Sequence, residues 1–437
     1  MLFNQKDFFP LKSNFNNASL NHIAQLNNCK SIIECVEKLS GMIFCPDEEN
    51  VSQEVQNLLY LISTDQKIPI STFKSHHLVK ILISFYQTYP NRLLRKQIVN
   101  LFAKLSSTEL AEEFSSQLFI KWLFDSIMET QSQKALHILI NLAADRKSSR
   151  NLSYYGLLPF CEGILNHDLS DTTINGILWT LSNAIHEEEV YKDDVLLIYL
   201  SIFSNYVNNS IRECHSRALY GLFKLTFKLH TEIVLSYIDT FVLFVLIKSE
   251  HYQLAIGSSM LLNRLLDDHN LSNTFPISNL MSLVHHGENA IVIASILLKS
   301  LFSINQSHVD SAIQCGLVSA LFQCSLLEDY HVKSNASMAL ISSFINNPSS
   351  IFDLMIEKEI WQIISPLYHA SDVEIINSIF QFYHYFITYS KNPTLVSFII
   401  EQVEKTDYFE VLQSDNTIEQ ELREEFFNQV QVYNCIG

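Results

Sequence analysis

Trp179 and Asn183 are the side chains in this 437-residue sequence whose types and spacing best suit recognition chemistry. Four apart on a helix, they stack on one side. A carboxamide can bond a peptide backbone through both its donor and its acceptor, and an indole face can wall a slot for a long cationic side chain. The run around them reads as a helix. At about 100° per residue, Ile174, Leu178, Leu181 and Ile185 share one face, and Trp179 and Asn183 lie off that apolar stripe. The competing reading is a Trp covered by a neighbouring helix with Asn as a polar bystander, because Trp is usually mostly buried.

The pattern recurs. Leu136, Leu139 and Ala143 form a second stripe, and His137 and Asn141 take the places of Trp179 and Asn183. Further on, Tyr220 and Lys224 take them again. Asn141 to Asn183 is 42 residues, and Asn183 to Lys224 is 41. A period near 40 in a helical pattern means a two- or three-helix repeat of the HEAT or armadillo kind. The expected elements are therefore stacked helices, with these pairs on the last helix of successive repeats.

The composition fits. Gly and Pro number only nine each, so turns are few and helices long, and 48% hydrophobic residues can bury a continuous core. A formal charge of −17 argues against nucleic acid as a direct partner and for cationic ligands, although net acidity also simply keeps a protein dispersed. The eight cysteines form no CxxC pair and have no His at zinc spacing, so they read as reduced, mostly buried thiols. No basic stretch leads into an apolar run at the start, and the longest apolar run, Phe241 to Ile247, falls far short of the ~20 residues of a membrane span.

Nothing in the sequence suits catalysis. GxxxxGK[ST], GxSxG and HExxH are absent. His215 beside Cys214 reads as a chance neighbour, and His285-His286 as an inter-helix turn without further metal ligands. No enzyme activity, metal or cofactor is expected. The organisation expected is a flexible, Asn-rich arm over 1–30, a repeat solenoid over 31–400, and an acidic cap and tail over 401–437.

These residues resemble the importin-alpha family, the armadillo adaptors of nuclear import. Trp179-Thr180-Leu181-Ser182-Asn183 is similar to that family's WTLSN. Ile68-Pro69-Ile70, Asn141-Leu142-Ala143-Ala144-Asp145 and Ser311 to Val318 resemble its first-repeat turn, its N-I-A-x-D and its helix crossover. The resemblance covers about residues 33 to 390. It implies an all-α, right-handed superhelical solenoid of about nine to ten armadillo repeats. It also implies an extended basic peptide on the concave face, held by Trp179, Asn183, Asn141, Asp145, His137, Glu187 and Tyr220. Asp145 would pair a lysine, and His137 and Tyr220 would stand where the family has Trp. The implied role is transport between cytoplasm and nucleus of cargo bearing a basic segment. Recruitment of importin-beta or an export receptor stays open, because the family's Arg/Lys-rich N-terminal segment is not present in the sequence.

The sequence also departs from that pattern. The ladder places of the second repeat hold no Trp, and those of later repeats fall at Ile296, Ser300, Met338 and Ser342. Arg217 and Lys224 place positive charges where a basic peptide would be repelled. The alternative is an armadillo scaffold whose groove serves a different protein partner, and a third reading is a structural HEAT-like protein with no groove.

Overall fold

The computed structural model describes residues 22–44, 47–64, 69–209, 212–369, 373–390 and 392–404. All regular elements among them are helical: 25 α-helices and three short 3-10 segments. Residues 1–21 of the expected arm and 405–437 of the expected acidic tail lie outside the described residues. The first helix already begins at His22, earlier than Ser31, where the apolar periodicity becomes legible. The chain forms two compact units, Met1–Leu229 and His230–Gly437.

In the first unit, α1 (His22–Gly41) pairs with α2 (Glu48–Thr64). A three-helix repeat follows: α3 (Ile70–Ser75), α4 (Leu78–Thr88) and α5 (Arg92–Leu105). Next come a 3-10 segment at Ala111–Phe114, α6 (Gln117–Thr130) and α7 (Gln133–Ala144). Then come α8 (Arg146–Tyr154), α9 (Leu157–Leu165) and α10 (Asp171–Ala184). Last, α11 (Asp193–Asn209) and α12 (Arg212–Leu225) follow a loop that replaces a first helix. The closing helices α2, α5, α7, α10 and α12 pack in succession as one layer. A short first helix, a second and a longer third, recurring at about 40 residues, is the armadillo type of repeat.

The second unit repeats this arrangement. Its closing helices are α15 (Tyr252–Leu265), α18 (Glu288–Ile304), α21 (Tyr330–Asn346) and α24 (Val373–Tyr389). They follow α13 (Thr231–Leu235) and α14 (Thr240–Ile247), α16 (His269–Thr274) and α17 (Met281–Val284), and α19 (Ser307–Gln314) and α20 (Leu317–Cys324). α22 (Pro348–Glu357) and α23 (Ile360–Ile364) precede α24, and α25 (Pro393–Glu404) comes last. No helix among the described residues is long and apolar enough to cross a membrane.

Local sequence sets these boundaries. Asn91, Ser132 and Ser170 each accept a backbone N–H at the start of α5, α7 and α10, satisfying amides that a helix leaves unpaired. The residue before four of the second helices, α4, α9, α20 and α23, is left-handed: His77 at φ 49°, Gly156 at 92°, Gly316 at 84° and Glu359 at 48°. Glycine takes that conformation without a Cβ penalty, which makes Gly156 and Gly316 natural crossover residues, as expected from the sequence. His77 has the same geometry without the glycine signal. The apolar run from Phe73 to Tyr86 keeps helical spacing in sequence, yet it is broken there into α3 and α4. Aromatic packing fills the spaces between repeats. Phe102, Phe114 and Phe119 meet with centroids 5.1–5.4 Å apart, each such pair adding about 0.5–1.5 kcal/mol beyond its buried area.

Candidate functional site

Helices α7, α10 and α12 carry most of the expected site residues in the first unit. Trp179 is half-buried on α10, off the apolar stripe. Its ring face is covered by the Arg217 guanidinium from α12, with Cζ 3.6 Å from the ring centroid. A chain cation thus sits where a peptide lysine was expected. Burial lowers the Arg217 pKa, with Tyr220 pulling the other way.

Asn183 is 5% exposed, and its amide donates to the carbonyl of Ile140 in the preceding repeat at 3.3 Å. Asn141 donates to Ser106 Oγ at 3.0 Å and to Ala103 O at 3.4 Å. Lys224 Nζ donates to Ser182 O at 2.9 Å. Ser342 in the second unit does the same toward Lys299 O at 3.2 Å. In these four places the ladder side chain reaches a carbonyl of the closing helix one repeat earlier. Buried carbonyls require partners, so this ladder braces repeat against repeat. Sequence spacing finds the ladder but not which way its side chains face.

Asp145 is the N-cap of α8, accepting from Ser148 N at 2.9 Å and Ser148 Oγ at 2.7 Å. Both bonds fall on one carboxylate oxygen, and they give Asp145 a local structural role at the start of α8. His137 is exposed on α7, and desolvation together with neighbouring Lys134 lowers its pKa. Tyr220 lies half-buried with Lys224 Nζ 5.5 Å from its ring centroid, and burial, reinforced by Glu187, pushes its pKa up to about 12. Burial pushes Lys224 down to about 8, against the attraction of Glu187.

Glu187 is exposed in the loop after α10, and its main-chain carbonyl accepts from Lys228. The other acids of that loop are occupied. Arg146 pairs with Glu188, and Glu189 takes Arg146 Nε at 2.8 Å and Arg150 Nη2 at 2.6 Å. Those arginines hold the Glu189 carboxyl down to about 2. Lys228 donates to Glu189 O at 2.9 Å, and Tyr191 donates its hydroxyl to Ala184 O at 2.7 Å. The loop is thus tied down from both neighbouring repeats.

No group of three His, Cys, Asp or Glu suited to a metal occurs among the described residues. His285 and His286 lie in the turn between α17 and α18, and His286 Nε2 lies 2.9 Å from Ser249 O in the preceding repeat. The side chains of Cys214 and His215 lie outside the described residues.

No family model matches the chain, and no curated protein matches it. Solved structures do. One engineered protein from a structural genomics consortium superposes with a TM-score of 0.68 at 14% identity, over 92% of this chain and 99% of its own. A designed armadillo repeat protein in complex with the peptide (KR)4 gives 0.42 at 15% identity, over 51% of this chain and 99% of its own. A second engineered protein gives 0.44 at 14%, over 51% and 98%. The first likeness shows the fold, an all-α repeat architecture.

Proposed function

We propose that the protein is a non-enzymatic binding scaffold that holds an extended segment of a partner protein against α7, α10 and α12. The observation that carries this reading is the row His137, Trp179 and Tyr220, one ring per successive closing helix, with His137 exposed and Trp179 and Tyr220 partly buried. Rings at a regular pitch suit an extended chain, whose side chains recur at a fixed rise. The groove is read here as repurposed, because the Trp179 face already carries Arg217 and the Asn183 amide is spent on Ile140.

The nuclear-import reading is favoured by one observation: the Trp179 ring does accept a cation. It requires a peptide lysine to replace Arg217, and it carries with it basic cargo, transport receptors and residence in cytoplasm and nucleus. Selection of twelve-residue peptides displayed against the full chain tests the scaffold reading. Selected peptides should lose at least tenfold affinity for a Trp179→Ala/Tyr220→Ala variant whose helical circular dichroism is unchanged. Peptides that bind both proteins equally would place the binding surface elsewhere.

A further inference from the structure

The apolar run Phe241 to Ile247 lies outside the peptide site proposed above, and its placement is unusual. It forms α14, whose eight residues are apolar but for Thr240. A helix that is apolar on every side is normally buried on every side. Leu243, Leu246 and Ile247 do enter the core of the second unit, yet Phe241 is 68% and Val245 53% exposed. At about 100° per residue, these two and the exposed Lys248 share one face within about 60°. The adjoining repeat holds the main chain of α14 in place. Asn279 Nδ2 donates to Phe244 O at 2.9 Å, and Ser282 Oγ donates to Ile247 O at 3.1 Å. A fixed helix thus keeps a phenyl ring and a branched aliphatic side chain, one turn apart, in contact with water.

We infer that this face is covered by the same face of a second copy of the chain, the two α14 helices lying antiparallel across a two-fold axis. The face is complementary to itself. Phe241 and Val245 each stand two residues from Leu243, so an axis at that level sets Phe241 against the other copy's Val245. Asp239, exposed before the helix, and Lys248, exposed after it, stand four and five residues from the same point. The one axis therefore also brings Asp239 alongside the other copy's Lys248. Asp239 caps α14 by accepting from Phe241 N at 3.0 Å, and a carboxylate that caps still carries its full charge. A parallel pair would set acid beside acid and lysine beside lysine, and would align the two helix dipoles unfavourably. An eight-residue helix is about 12 Å long, so the pair buries less than the about 1,200 Å² at which stable interfaces begin. The dimer is accordingly a weak one, populated at high protein concentration.

Equilibrium sedimentation of the full chain between about 5 and 500 μM reads this directly. The mass should rise from that of one chain towards that of two across the range. Phe241→Gln/Val245→Gln keeps good helix formers in α14 and should weaken association at least tenfold with unchanged helical circular dichroism. Asp239→Asn keeps a capping side chain, and it and Lys248→Gln should each weaken association at least twofold, the double variant no more than either alone, because both remove the same contact. A chain that keeps the mass of one copy throughout the range, even if a different protein binds α14, overturns the second copy as occupant. Association that survives in Phe241→Gln/Val245→Gln overturns the assignment to α14, and additive losses from Asp239 and Lys248 overturn the antiparallel pairing.

Discussion

A methyl group added at Gly221 tests how α12, the helix carrying Arg217, Tyr220 and Lys224, is held in place. A Cβ there would stand 2.5 Å from Phe203 Cε2 and 2.6 Å from Cε1. Carbon atoms pack at about 3.5–4.0 Å, so the ring would have to retreat by about 1 Å. Phe203 is fully buried and stacks on Tyr199 with centroids 6.2 Å apart, so it has little room. Two effects compete. Replacing Gly by Ala inside a helix gains about 0.8–1.0 kcal/mol of propensity. Overpacking a core costs about 1–3 kcal/mol, and displacing a whole ring belongs at the upper end. Gly221→Ala should therefore destabilise by about 2 kcal/mol. Gly176→Ala is the control: its Cβ would meet Leu136 Cδ1 at 3.3 Å, the end of a flexible side chain, and propensity should offset the contact. The assay is urea unfolding followed by circular dichroism and by tryptophan fluorescence. In the double variant Gly221→Ala/Phe203→Leu, at least about 1 kcal/mol should return relative to the sum of the single changes. A Gly221→Ala protein as stable as wild type, or zero coupling with Phe203, would refute the idea that ring contact sets the spacing of α11 and α12.

Two further outcomes follow from the same site. Burial holds Lys224 near pKa 8 against 10.5 unfolded, so between those values the unfolded chain binds a proton that the native chain does not. Stability relative to a Lys224→Met variant, a difference in which the other titrating groups cancel, should therefore rise with pH from about 8, by at most about 1.4 kcal/mol per pH unit. Denaturant unfolding is read between pH 7.5 and 9.5, because the raised Tyr220 pKa acts oppositely above its unfolded value of 10. Asp145→Ala should cost about 1 kcal/mol through loss of the α8 cap, seen as a lower melting temperature, while leaving affinity for the peptides selected against the full chain within twofold. Unchanged stability with lost peptide binding would return Asp145 to the ligand-pairing role that the resemblance implies.

Periodicity made the repeat legible from residues alone. The recurrence of His137/Asn141, Trp179/Asn183 and Tyr220/Lys224 at 42 and 41 residues places each pair on a closing helix, because helix stacking turns a sequence period into a spatial ladder. Gly156 and Gly316 marked two crossovers by their chemistry. His77 and Glu359 make the same left-handed turn without any such mark, since tertiary packing can hold a residue in a conformation its type does not favour. The repeat and most of its helices were thus determined locally.

What occupies those residues was decided only by the fold. Asn183 bonds Ile140 and Lys224 bonds Ser182, contacts made across 43 and 42 residues. Arg217 reads in sequence as a charge opposed to a basic ligand, and in the folded chain it is itself the cation on Trp179. Charge shows the same division. The sequence gives a total of −17, but a total says nothing of where each sign lies. Folding draws Asp145, Glu188 and Glu189 into internal bonds and leaves Lys96 and Lys134 at the surface, because hydrogen-bond and ion-pair partners are assigned by proximity in three dimensions and not by order along the chain.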